Sequence, residues 1–133
     1  MKTVIILRGA PGAGKSSLST LLSVHAGAKI VSTDKHLQVD GRYDWSPAAL
    51  LTAHEKCFAD FTSALCMERE IIVVDNCNSR SRDMARYAAS AKAHGYVVRQ
   101  IIVENTHGGR SVHNVPEHIV ERAKQRIRSN IQL

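Results

Sequence analysis

Three observations predict a doubly wound α/β fold, with a mostly parallel sheet of four or five strands and helices on both faces. Four short apolar runs alternate with four helix-like stretches, the order in which helical crossovers connect parallel strands. Those runs are nearly continuous in β-branched and apolar residues, as strands covered on both faces should be. A glycine-rich loop separates the first run from the first helix, at the carboxyl end of a strand where such folds bind ligands.

Residues 3–7 (Thr-Val-Ile-Ile-Leu) form the first predicted strand. A helix is predicted from Lys15 to about His25, with Leu18, Leu21, Leu22 and Val24 at helical spacing and an end near Gly27. Residues 29–31 make a short second strand leading to Ser32, Thr33 and Asp34. Residues 38–47 are polar and turn-rich and read as a loop. Ser46 as N-cap and Pro47 at the first helical position then open a long helix reaching about Arg69. Residues 71–74 are the third strand, ending at Asp75. A helix over 81–93 stops at His94-Gly95, and residues 96–103 form the fourth strand. A linker, residues 104–115, precedes a last helix that has Pro116 at its start and Ile119, Ala123 and Ile127 on one face.

The 133 residues, 44% of them hydrophobic, suit one domain spanning 1–133 around one core. The apolar run ending at Leu7 is too short for a signal peptide or a membrane span, so a cytoplasmic protein with no membrane association is expected. Cys57, Cys66 and Cys77 show no CxxC spacing, and the histidines show no ligand spacing, so neither a disulfide framework nor a protein-built metal cluster is expected. The net charge is +6, and its excess lies beyond Cys77, where ten Lys/Arg face four Asp/Glu. That asymmetry favours polyanionic partners, nucleotides or nucleic acid, although basic helices are also common as solvated faces.

Gly9-Ala10-Pro11-Gly12-Ala13-Gly14-Lys15-Ser16 fits the P-loop pattern GxxxxGK[ST]. The glycines let successive backbone N–H groups turn inward on phosphate oxygens, and the helix that follows adds its positive end. Residues Gly9 through Ser16, with the adjoining Ser17, are therefore expected to bind ATP or another nucleoside triphosphate. Lys15 would reach the β- and γ-phosphates and the Ser16 hydroxyl would ligate Mg²⁺. Asp75, at the carboxyl end of the third strand, is either the acid that holds this magnesium or a cap for the turn with Asn76 and Asn78. Asp34, ending the second strand, is either a base for an attacking hydroxyl or a cap after Ser32-Thr33. Asp44 reads best as a turn residue. Arg110 in the linker, and Arg122 and Arg126 on one face of the last helix, are candidates to neutralise a transferring phosphoryl group.

Several strings in order carry a resemblance: Ile6-Leu7-Arg8-Gly9, Gly14-Lys15-Ser16, Ser32-Thr33-Asp34, Asp40-Gly41-Arg42-Tyr43, Ala53-His54-Glu55, Val74-Asp75-Asn76-Cys77-Asn78 and Arg110-Ser111-Val112-His113-Asn114-Val115-Pro116. Together they resemble the polynucleotide-kinase-like P-loop family, which includes phage polynucleotide 5′-hydroxyl kinases and Nedd-binding-protein-like ATPases. The resemblance implies a compact P-loop kinase domain with a short lid near 104–116. It implies Asp34 as general base for a 5′-hydroxyl, Asp75 as the acid of the "DNTN" strand, and Arg110 and Arg126 as phosphate-contacting arginines. Leu37 stands where phage kinases carry an acceptor-binding arginine, Cys77 replaces the threonine of "DNTN", and Ser111 replaces the lid's usual asparagine. The expected activity is transfer of the γ-phosphate of ATP to a hydroxyl, foremost the 5′-hydroxyl of a polynucleotide. The alternatives are a kinase for a small-molecule hydroxyl and a non-catalytic ATP-binding interaction module.

Overall fold

A computed structural model describes residues 1–104 and 115–131. The elements are β1 (Thr3–Arg8), α1 (Lys15–Ala26), β2 (Lys29–Val31), a 3₁₀ turn (Asp34–His36), β3 (Gln38–Val39), β4 (Arg42–Tyr43), α2 (Pro47–Cys66), β5 (Ile71–Asp75), α3 (Ser81–Ala93), β6 (Val97–Ile102) and α4 (Glu117–Ser129). The main sheet has four strands in the order β2-β5-β1-β6, and every pairing in it is parallel. β1 is central, with Leu7 opposite Asp75 on one side and Ile101 on the other.

The two sheet faces carry separate cores, as right-handed crossovers that change direction require. Leu18 and Leu22 of α1 cover Leu7, Val73 and Ala28 on one face. On the other, Phe61 and Leu65 of α2 and Met84, Tyr87 and Ala91 of α3 cover Val4, Ile6, Ile72 and Val74. The Tyr87 ring meets Phe61 edge-on at 4.9 Å and Phe58 at 5.3 Å, which locks α3 to α2.

The helix boundaries follow local chemistry. Gly27, left-handed at φ 68°, closes α1 by donating its N–H to Ser23 O. Ser46 accepts from the Ala49 N–H at the start of α2, with Pro47 in the first turn. That helix stops at Cys66, a turn short of Arg69.

Two expectations are corrected. Within residues 38–47 there is a β-hairpin rather than only loop: Asp40 (φ 50°) and Gly41 (φ 79°) are both left-handed, as the tight two-residue turn between β3 and β4 demands. On α4 the inward residues are Val120, Ala123 and Ile127, while Ile119 is 40% exposed. No helix among the described residues is long and apolar enough to cross a membrane.

Candidate active site

The site grows from the carboxyl end of β1. Arg8 is fully buried there, an expensive location for a guanidinium, and its hydrogen bonds are nearly all to carbonyl groups. Nε donates to Asn78 O at 2.9 Å and Nη2 to Ser79 O at 3.4 Å; Nη1 reaches Asn130 O at 2.6 Å and Gln100 Oε1 at 3.3 Å. Nη2 also donates to Asn130 Oδ1. One side chain thus ties β1 to the exit of β5, to β6 and to the end of α4.

Gly9 follows. Its N–H donates to Cys77 O at 3.1 Å, and the Val103 N–H donates to Arg8 O at 2.7 Å. A Cβ at position 9 would stand 2.8 Å from Val103 O, so the loop leaves the sheet here only because the residue is glycine. Gly12 (φ 85°) and Gly14 (φ 108°) then turn the chain through the left-handed region into α1. The N-terminus of α1 has no capping side chain and no acid in its first turn. Its free N–H groups are therefore directed into the loop without a resident partner from a side chain, the arrangement that binds anions. Lys15 Nζ donates to Ala10 O at 3.2 Å, folded over the loop it belongs to. Ser16 and Ser17 are exposed in the first turn of α1.

Two carboxylates lie at the same edge of the sheet, one ending β5 and one in the turn after β2. Asp75 ends β5, and its Oδ2 accepts from Ser19 Oγ at 2.8 Å. Burial pushes the Asp75 pKa above the usual carboxylate value; the Ser19 bond and Lys15 oppose the rise, and nearby Asp34 adds to it. Asp34 does not end the second strand as expected: β2 stops at Val31, and Asp34, half-buried, opens the 3₁₀ turn that follows. The turn is held from below: the Thr33 N–H donates to Asn76 Oδ1 at 2.8 Å, Thr33 Oγ1 lies 3.2 Å from His54 Nδ1, and the Asp34 N–H donates to Ser32 Oγ at 3.2 Å. Asn78, left-handed at φ 49°, donates from Nδ2 to Leu7 O at 2.7 Å. Asn76 and Asn78 therefore fix the two strand exits that present Asp34 and the loop.

Ser19, His54 and Asn76 matter here in ways the sequence did not mark. Ser19 lies beyond the loop motif, and its role appears only once β5 is set beside α1. Leu37, at the position of the phage-kinase arginine, is buried, and Lys35 Nζ donates to Ile30 O at 2.9 Å. Arg126 is half-buried on α4 and Arg122 is exposed. Arg126 lies in the field of Asp83, the α3 cap, whose pKa burial raises while Arg82, His54, Arg126 and Arg8 oppose the rise. Arg110 and the expected lid lie largely outside the described residues. Beside Ala10 and Ala13 a cavity of about 190 Å³ opens toward α4, with Val103, Lys124, Ile127 and Arg128 among its walls.

Comparisons with known proteins agree with this architecture. The family described as an AAA domain matches residues 4–130. Human NEDD4-binding protein 2 is 34% identical over 98 residues, covering 71% of this chain and 5% of that protein. Mouse 2′,3′-cyclic-nucleotide 3′-phosphodiesterase is 30% identical over 105 residues, covering 77% of this chain and 24% of that one. The chain thus spans only a minor part of the curated relatives it matches. Among solved structures, one chain of the Pnkp1/Rnl/Hen1 RNA repair complex aligns over 99% of this chain and 40% of its own length, at 19% identity and a TM-score of 0.60. A gluconokinase from Sinorhizobium meliloti 1021 aligns over 93% and 74%, at 15% identity and a TM-score of 0.62. At those identities the structures show a shared P-loop kinase fold.

Proposed function

The chain belongs to this AAA-domain family, and on that premise we propose that it is a phosphotransferase moving the γ-phosphate of ATP to a hydroxyl, with the 5′-hydroxyl of a polynucleotide as the leading acceptor. One observation carries the reading: an uncapped helix N-terminus behind a glycine loop stands at the same sheet edge as two carboxylates, Asp75 at the end of β5 and Asp34 in the turn after the neighbouring β2. An anion site opposite paired acids is suited to handling phosphate, metal and proton together.

In this mechanism the loop Gly9 to Ser17, through those backbone N–H groups not already bonded within the protein, and the Lys15 ammonium hold the triphosphate. Ser16 and Asp75 would hold Mg²⁺. The donor set fits: one hydroxyl and one carboxylate, with no group of three His, Cys, Asp or Glu side chains among the described residues, suits an ion that retains waters and phosphate oxygens as ligands. Held by those two residues, a magnesium ion would supply positive charge to offset that of the β- and γ-phosphates. Asp34 accepts the proton of the acceptor hydroxyl as its oxygen bonds to the γ-phosphorus. The bond from that phosphorus to the β–γ bridging oxygen breaks, and ADP leaves. Arg110, from a lid near 104–116, and Arg126 would supply further positive charge. We take residues 1–133 as one domain acting in the cytoplasm, where ATP is available.

A second reading is favoured by the buried Leu37 and the Lys35 ammonium committed to Ile30 O, because neither provides the acceptor-phosphate contact of the phage kinases. That reading is a kinase for a small-molecule hydroxyl. Transfer of labelled γ-phosphate to a short 5′-hydroxyl oligonucleotide separates the two. The proposal expects transfer, with an acceptor KM that rises with salt as phosphate contacts are screened. Transfer only to small acceptors, or ATP binding with no transfer at all, would replace it with the small-molecule kinase or with a silent ATP-binding module.

A further inference from the structure

The chain's aromatic residues divide by location. Phe58, Phe61, Tyr87 and Tyr96 belong to or pack against the core between the sheet and α2/α3. The remaining pair, Tyr43 and Trp45, lies outside it. Their rings stack at 5.6 Å with an interplanar angle of 15°. Residues i and i+2 of an extended chain share a face, which is why β4 and its continuation bring these rings together. Trp45 remains 41% exposed, so the indole is backed by Tyr43 without being covered.

This pair is anchored to the turn that carries Asp34. The Leu37 N–H donates to Asp34 O at 3.2 Å, and the Asp44 N–H donates to Leu37 O at 2.8 Å. Two hydrogen bonds in series therefore connect Asp34 to the residue before Trp45. Asp44 Oδ1 accepts from the Ser46 N–H at 2.9 Å, and this bond holds the carboxyl below its usual pKa and pins the entry to α2. In the sequence flanking the pair, the exposed Lys35 and Arg42 are balanced by Asp40 and Asp44.

A half-exposed aromatic stack is a base-stacking surface: every nucleobase has a π-face, and a ring already held by a neighbour loses little freedom on binding. We propose that Tyr43 and Trp45 form a platform receiving a base of the single-stranded 5′ end whose terminal hydroxyl is presented to Asp34. The proposal rests on the polynucleotide reading above. It supplies acceptor binding by stacking, where Leu37 cannot supply it by charge.

Trp45 is the chain's one tryptophan, so its emission reports on the platform directly. Titrating the full chain with a short 5′-hydroxyl oligothymidylate, without ATP, should quench that emission saturably; an abasic phosphodiester of the same length should not. In steady-state transfer, Trp45→Leu should raise the oligonucleotide KM about tenfold with kcat held, and Trp45→Phe should restore most of it. An unfolding curve for Trp45→Leu matching wild type separates lost stacking from lost fold. If the oligonucleotide is phosphorylated but neither quenches Trp45 nor responds to Trp45→Leu, the platform is wrong and the kinase reading stands. Quenching without transfer leaves the platform and removes the transfer reading. Neither quenching nor transfer overturns both.

Discussion

Asp75 is caught between its surroundings and its proposed task. Burial, helped by Asp34, favours its neutral form, whereas holding magnesium requires the anion; Ser19 Oγ and Lys15 offset part of the difference. Because the folded-state pKa is raised, the folded chain retains this proton more tightly than the unfolded chain does. Stability therefore falls as pH rises from the unfolded pKa through the folded one, and the loss is complete above that. Asp75→Asn should consequently raise the melting temperature of the nucleotide-free protein at neutral pH, with the gain shrinking as pH drops through the usual carboxylate range. The same variant should reduce transfer by about a hundredfold, since the carboxylate that would hold the magnesium is gone. Thermal scans at pH 4 and pH 7.5 beside an activity assay check both signs. At this scale the sequence was partly legible. A strand ending in Val-Val-Asp announces Asp75, but nothing about a serine inside a helix announces Ser19, because its partner is contributed by a strand 56 residues away.

The glycine loop is an element whose shape is dictated by its neighbours as much as by its own residues. Gly9→Ala would place a methyl 2.8 Å from Val103 O and 3.2 Å from Lys15 Cγ. The carbonyl belongs to the backbone leaving β6 and cannot rotate aside, so the substitution should cost about 1–3 kcal/mol and weaken ATP binding as well. Denaturant unfolding with and without ATP checks this: a variant as stable as wild type and equally protected by nucleotide would show that the approach to Val103 is not tight. Other elements show where sequence reading slips. The hairpin of β3 and β4 had its Asp-Gly turn in plain view, but two-residue strands are too short to display alternation. On α4, both Ile119 and Val120 fit a helical series through Ala123 and Ile127. Only packing against Ala10, Cys77 and Val115 selects Val120.

Across the whole molecule, a parallel sheet brings residues from distant segments to one edge. β1, β2 and β5 end together, so Gly9, Asp34 and Asp75 converge although 66 positions separate the first from the last. This convergence was legible because β-branched runs alternating with helices leave few topologies: Gly9 directly follows one such run, Asp75 ends another, and Asp34 comes three residues after a third. The bracing was not legible: Arg8, Asn76, Asn78 and Asn130 act across the fold, through partners that no local pattern names. In the proposed mechanism Asp34 serves the acceptor hydroxyl while the loop serves ATP, and measuring both functions on one variant separates the two roles. For Asp34→Ala, with Lys15→Ala as reference, ATP affinity and single-turnover γ-phosphate transfer to a 5′-hydroxyl oligonucleotide should be determined side by side. Asp34→Ala is expected to bind ATP nearly as wild type and to transfer nothing measurable, while Lys15→Ala loses both. Transfer surviving in Asp34→Ala would rule out Asp34 as the base.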